Sequence, residues 1–471
     1  MRRFKYIWIV LLLILFGCND FLNVRPDGEV VNDELLRDAE GFEDAIYGIY
    51  ANIGSKEFFG QKLGYDLYDM LGQYYYNSYH ASPTLHIIQF NYKHQDVRQT
   101  FDNIWIGLYK NIGYVNNVLI NLENFSKADM SLYDVYKAEC LALRAFLHFE
   151  VLRVYSENFV TNPAAAGIPY SKTYSYVVSP FLSSAESYTR IIEDLKDAET
   201  LLTANGEYFD AESGVGFLKD RIIHMNLYAV QAMLARVYWT KGDMKEAADY
   251  AKKVIDCGYF GLVDKSGVGA LSNVGLSPNE TIWGLFNPHM KKEVYDDMIS
   301  QNSFALKSDW EDIYRVDNDT EGFQDYRREE WFHIFNDIGY GGPRPVKIYN
   351  WGYTSTDGRI SGFNVIRLPE MYYIVAEYYL AQNDQANAMK YADQVRVSRG
   401  LAPFAGIADF SLSTANMIAE RRKELICEGQ YFHTLKRYNQ DIKEYHTGKV
   451  FPASKAIYVF PLPDTETDYR E

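Results

Sequence analysis

The stretch LARVYWTKGDMKEAADYAKKV, residues 234–254, aligns without gaps with VAEYYLAQNDQANAMKYADQV, residues 375–395, at a constant offset of 141. Ala235 matches Ala376, Tyr238 matches Tyr379, Asp243 matches Asp384, Ala247 matches Ala388, Tyr250 matches Tyr391 and Val254 matches Val395. Small residues at fixed sites let two helices approach, tyrosines fill the space beside them, and a Gly-Asp or Asn-Asp pair turns the chain. A duplicated helical hairpin buries its apolar side by stacking on neighbours, which commits the chain to a helical stack.

The pattern is that of a tetratricopeptide hairpin, expected over 225–256 and again over 366–400. Apolar spacing predicts further helices over 33–53, 101–125 and 136–156, the last strongly apolar and central. Ser183 and Glu186 form a capping box that opens a helix over 184–202. Between the two hairpins, 259–365 is rich in Gly, Asn, Asp and aromatic residues and shows little helical periodicity. It reads as an irregular excursion on a mainly α scaffold, and loops of that length are usually functional.

At the other end of the chain, Arg2, Arg3 and Lys5 precede an apolar run, Ile7–Phe16. Ten residues rise only about 15 Å as a helix, half of the ~30 Å hydrocarbon core, so the run reads as an export signal rather than a span. Leu15-Phe16-Gly17-Cys18 resembles the lipobox of bacterial lipoproteins. The resemblance implies a signal peptide over 1–17, a mature chain over 18–471, and acyl chains on Cys18 that tether it to the outer membrane, exposed at the cell surface.

The 471 residues carry 47 basic and 63 acidic side chains, a net charge of −16. Loss of the three basic residues of the signal leaves 44 against 63, or −19. Such a surface repels nucleic acid and acidic lipid. With Cys18 acylated, Cys140, Cys257 and Cys427 remain, widely spaced and without a CxxC, so neither a disulfide framework nor a zinc site is expected. All three fall in apolar helical patterns and read as buried thiols.

In chain order, CNDFLNVRP (18–26), AEGFEDAIYGIYANI (39–53), FDNIWIGLYKNIGYVNNVL (101–119), AECLALRAFLHFEVLRVY (138–155), VIRLPEMYYIVAEYYLAQND (365–384), IAERRKELICEGQYFHTLKR (418–437) and VFPLPDTE (459–466) resemble the RagB/SusD family of outer-membrane nutrient-binding lipoproteins of Bacteroidetes. Gln430 and His433-Thr434 stand where the family commonly has an Arg and an aromatic-Asp pair. Membership implies a SusD-like fold and a lid on a SusC-like TonB-dependent transporter that captures oligosaccharide and hands it on. A peptide ligand is the alternative within the family; a surface glycoside hydrolase is the alternative outside it.

Sugars present apolar C–H faces and hydroxyl edges, so a site for them needs exposed rings beside polar groups. Aromatics make up 16% of this chain, enough to supply such a site twice over. The candidates are Tyr75, Tyr76 and Asn77 in GQYYYNSYH, and Trp310, Tyr314, Trp331 and Trp351 in the excursion. No cofactor and no catalytic group is expected. Glu424 and Glu428 sit among Arg421, Arg422 and Lys423 and read as partners in intrahelical and inter-repeat ion pairs. DNDTEGF has calcium-loop spacing at Asp317, Asp319 and Glu321, but Arg328 occupies the twelfth position where a Glu is required. His80, His86 and His94 lack metal-ligand spacing. Cells fed a tagged palmitate should label the wild-type chain and leave Cys18→Ala unlabelled; equal labelling of the two would remove the tether.

Overall fold

The computed structural model describes residues 35–75, 83–175, 177–206, 215–274, 276–277, 279–294, 296, 313–314, 324–333, 343–348, 360–444 and 448–468. Cys18 and the signal lie outside these residues. The longer helices are α1 (Ala39–Ile53), α2 (Gln95–Leu122), α3 (Tyr133–Tyr155), α4 (Ser184–Asn205), α5 (Leu227–Lys241), α6 (Met244–Ile255), α7 (Leu368–Ala381), α8 (Gln385–Ser398) and α9 (Thr414–Glu424). No helix of the described residues is long and apolar enough to cross a membrane.

From α2 to α8 each helix packs on the next in chain order, and α6 closes on α7 across the whole excursion. The two copies of the hairpin are geometric as well as sequential. Gly242 and Asn383, at equivalent places in the turns, both adopt left-handed backbone, with φ of 101° and 58°. Glycine and asparagine tolerate that region best. Tyr238 stacks on Tyr250 and Tyr379 on Tyr391, each pair with ring centroids 5.8 Å apart. Ala235, Ala247, Ala376 and Ala388 are fully buried at the close approaches. Lys252 joins the copies by donating to the Tyr379 hydroxyl at 3.0 Å.

Helix α3 is the axis of the stack and is buried on nearly every side. Its charged side chains are therefore paired, as the cost of burying a lone charge requires. Arg144 grips Asp194 of α4 through Nε and Nη2 at 2.6 and 2.9 Å. Arg153 reaches Glu150 at 2.8 Å and the Gln430 side-chain oxygen at 2.9 Å, so Gln430 has a defined packing role. The capping box at Ser183 forms as expected.

The root of the excursion is more regular than its composition indicates. Strand β1 (Thr281–Phe286) pairs antiparallel with β2 (Gly362–Arg367), aligning Thr281 with Arg367 and Phe286 with Gly362. The chain thus leaves and returns through one ribbon. A Cβ on Gly362 would lie 2.2 Å from the Leu285 carbonyl oxygen, so this close strand contact requires glycine. Helix α7 begins where β2 ends, with Pro369 in its first turn, where a missing N–H costs nothing.

Beneath the ribbon lies a buried ion network centred on Glu424, the last residue of α9. Its carboxylate accepts from Arg327 at 3.0 Å, from Arg367 of β2 at 2.9 Å and from Arg399, just after α8, at 2.8 and 3.1 Å. Arg367 also binds Glu280 and Glu428, and Arg399 binds Glu280. Lys347 donates to Glu428 at 2.5 Å and to the Glu424 and Ile426 carbonyls. The ion pairing expected of Glu424 and Glu428 is present, but its partners come from other elements because α9 ends at Glu424. Arg421 crosses to Glu377 of α7 at 2.6 Å and makes the inter-repeat pair, while Lys423 pairs with Glu420 within α9.

Two of the three cysteines differ from expectation. Cys140 and Cys427 are buried, whereas Cys257 is only half-buried beyond the end of α6. Cys427 also lies outside any helix, in a turn where its φ is +63°. Removing one partner from a buried charge cluster costs about 3–5 kcal/mol because the remaining charges stay desolvated. Glu424→Gln should lose stability of that order in urea unfolding, and a loss below about 1 kcal/mol would deny the network its structural role.

Candidate functional site

A cleft of about 1070 Å³ opens at the root of the excursion, lined by α1, the turn after it, residues 220–224 and the end of β1. Two aromatic rings are exposed on its walls: Tyr47 of α1, 39% exposed, and Phe286 at the tip of β1, 48% exposed. Polar groups edge it, among them Lys56, Glu57, Asp220, Asn287, His289 and Glu293. Asn287 is held in place by donating to Glu293 at 2.9 Å and accepting the His289 N–H at 2.8 Å. A second cleft, about 580 Å³, lies between α2 and residues 169–179, with Tyr109, Tyr114 and Tyr174 among its walls. The first cleft is nearly twice that volume and adjoins the excursion.

The floor of the larger cleft is rigid. Tyr50 and His224 line it and converge on one oxygen of buried Glu139, at 2.7 and 3.0 Å, while Arg221 takes the other at 2.5 Å. The Tyr50 hydroxyl in turn accepts the Met225 N–H at 2.8 Å. Tyr47 packs edge-on against the His224 ring, with centroids 5.6 Å apart, so its ring orientation is set from below. Burial alone would raise the Glu139 carboxyl, but Arg221 and His224 outweigh it and hold it at about 2. Glu139 is therefore an anchor, ionised and fully engaged, rather than a proton donor.

The residues expected to bind ligand divide sharply. Tyr76, Asn77, Trp310 and Trp351 lie outside the described residues, as do Asp317, Asp319 and Glu321. Tyr75, Tyr314 and Trp331 are described, and all three face the core. Trp331 is 0% exposed and donates its indole N–H to the Val268 carbonyl at 3.2 Å. Tyr314 donates to the Lys423 carbonyl at 2.9 Å, and Tyr75 donates to Asp69 at 3.3 Å. Rings so placed have no face to offer a sugar. Little in the sequence marks Tyr47 and Phe286 as site residues, because one sits within helical periodicity and the other ends an apolar run. The signal for Tyr47 was its place on the polar side of α1. The fold also brings His86, His94 and Asp96 together, which their spacing did not indicate.

The chain is a stack of tetratricopeptide hairpins with a cleft of ligand size at the root of the excursion. Residues 20–239 match the SusD-like family model described as starch-binding and associating with the outer membrane, and residues 297–468 match that of the SusD family, SusD/RagB. A SusD-like protein from Formosa agariphila is 24% identical, with 99% of this chain and 97% of the relative aligned. The fold is shared with a SusD superfamily protein from Bacteroides thetaiotaomicron at a TM-score of 0.74 and 20% identity, covering 92% of this chain and 98% of that one. A SusD-like carbohydrate-binding protein from Bacteroides vulgatus superposes with a TM-score of 0.72 at 20% identity, covering 91% and 96%. The chain belongs to the SusD/RagB family, and nutrient binding in association with the outer membrane comes with that membership.

A carboxyl whose native pKa is depressed stabilises the fold above its unfolded value of about 4.3, and that stability is lost as pH falls toward the native value. For Glu139, about two units are worth roughly 3 kcal/mol. The gap in melting temperature between wild type and Glu139→Gln should be constant above about pH 5 and should close between about 4.5 and 2. A gap that does not change over that range would mean that Glu139 is not held ionised by Arg221 and His224.

Proposed function

We propose that this protein is a lipid-anchored surface glycan-binding protein that captures oligosaccharide and delivers it to a SusC-like TonB-dependent transporter. The observation that carries this reading is the pairing of exposed rings, Tyr47 and Phe286, with polar edges in a cleft of about 1070 Å³. Rings cover the C–H faces of a sugar, while amide, carboxylate and ammonium groups meet its hydroxyls. The rigid Glu139 floor favours the binding of a preformed shape, since little side-chain freedom is left to lose there. Trp310, Trp351, Tyr76 and Asn77, outside the described residues, remain candidate ligand contacts of this proposal. Capture without turnover distinguishes this role from hydrolysis. The bound ligand would favour the lid conformation that closes on the transporter, and release would follow energised transport.

Calorimetry of the purified protein against a panel of oligosaccharides and peptides tests this directly. Binding of at least one glycan is expected, with no hydrolysis product on prolonged incubation. Loss of a stacking ring is worth about 0.5–1.5 kcal/mol, so Tyr47→Ala and Phe286→Ala should each weaken binding roughly two- to tenfold. Both positions are partly exposed, and their melting temperatures should stay near wild type. Binding of peptides alone would transfer the role to a peptide-capturing member of the family. Undiminished affinity in both variants would move the site away from this cleft.

A further inference from the structure

The strongest unassigned feature lies at the turn into α2. His86, in the helix Thr84–Ile88, and His94, the residue capping α2, stack with ring centroids 3.5 Å apart and planes 15° from parallel. Asp96, in the first turn of α2, brings a carboxylate oxygen 3.7 Å from the His94 Nδ1. One donor atom from each of the three residues lies within 4.8 Å of the other two.

The turn that assembles them is firmly held. Phe90 adopts left-handed backbone, φ 59°, and the Asn91 N–H returns to the His86 carbonyl at 2.8 Å. Phe90 packs edge-on against Phe451, and the Tyr92 hydroxyl donates to the Ile457 carbonyl at 2.6 Å. Arg98, the next basic residue of α2, is engaged by Asp102 and Asp464, each at 2.9 Å. A preorganised frame thus presents two imidazoles and a carboxylate.

We propose that His86, His94 and Asp96 bind a divalent d-block cation of the imidazole-seeking kind, Cu²⁺, Ni²⁺ or Zn²⁺. Two nitrogens and one oxygen match the preferences of these ions, whereas calcium and magnesium require several oxygens. The positive end of α2 opposes a cation that offers only electrostatic attraction, and so selects further for strong imidazole ligation. Parallel rings cannot both aim a nitrogen lone pair at one ion. Binding therefore turns at least one imidazole and gives up the long contacts His86 makes with the Asn91 amide and His94 with the Asp96 N–H, both 3.3 Å. Three protein donors leave a coordination position for water or a ligand group. The ion would fasten the Thr84–Ile88 helix to the start of α2. This site is independent of the glycan cleft.

The test uses full-length protein without a histidine tag, titrated calorimetrically with CuCl₂, NiCl₂, ZnCl₂ and CaCl₂. One equivalent of at least one of the first three should bind, and calcium should not. His94→Asn keeps a good helix cap while removing the imidazole, so its metal-free melting temperature should stay close to wild type. His94→Asn and His86→Gln should each weaken binding by at least the ~10–100-fold that losing a hydrogen-bond partner of a ligand costs. The same metal should raise the melting temperature of wild type and not of the variants. Equal binding by wild type and both variants, or no binding of any of the three metals, would overturn the site.

Discussion

The convergence of three arginines on the Glu424 carboxylate is the constraint on which the rest of the structure depends. Arg327 comes from the excursion, Arg367 from the strand that returns from it, and Arg399 from the end of the second hairpin. Each of these charges would be intolerable in the interior by itself. Together they satisfy one another only when all three elements are in place. The cluster therefore acts as a register mark, stable in one arrangement and costly in any other.

Around that mark the helices stack in chain order, and the interruption between the two hairpins does not break the stack. Helix α6 meets α7 although the excursion separates them in sequence. The matching tyrosine pairs and left-handed turns show why: each hairpin is a complete unit, and its neighbour needs only the complementary face. The cleft then forms where the stack, the ribbon and the residues around Glu139 meet.

Much of the scaffold was legible in the sequence because its signals are local and repeated. The hairpin turns, the capping box at Ser183 and the apolar run of α3 each depend on residues within a few positions. The site was less legible because exposure is a long-range property. Trp331 and Tyr314 stand in polar, glycine-rich sequence, yet their rings are buried beside the ion network, under Lys347 and Arg327. Tyr47 follows the helical pattern of α1 and still faces outward at the cleft. The β1–β2 ribbon was hidden because its partners are some 80 residues apart, and β2 runs straight into α7. His86 and His94 are joined by a left-handed Phe90 that no periodicity predicts.

The ribbon has a consequence for how such a chain diversifies. Its two strands lie side by side, so whatever chain joins their far ends begins and finishes at nearly the same point. Closing a longer loop between fixed ends costs little more than closing a short one, about 0.6 kcal/mol per doubling of length. Insertions and deletions there can leave the helical stack almost undisturbed only where they spare Arg327 and Lys347, which the buried ion network requires. The joining segment is thus pinned to the core at a few fixed points, Arg327, Trp331 and Lys347 among them, and length can change between those points while the frame stays the same.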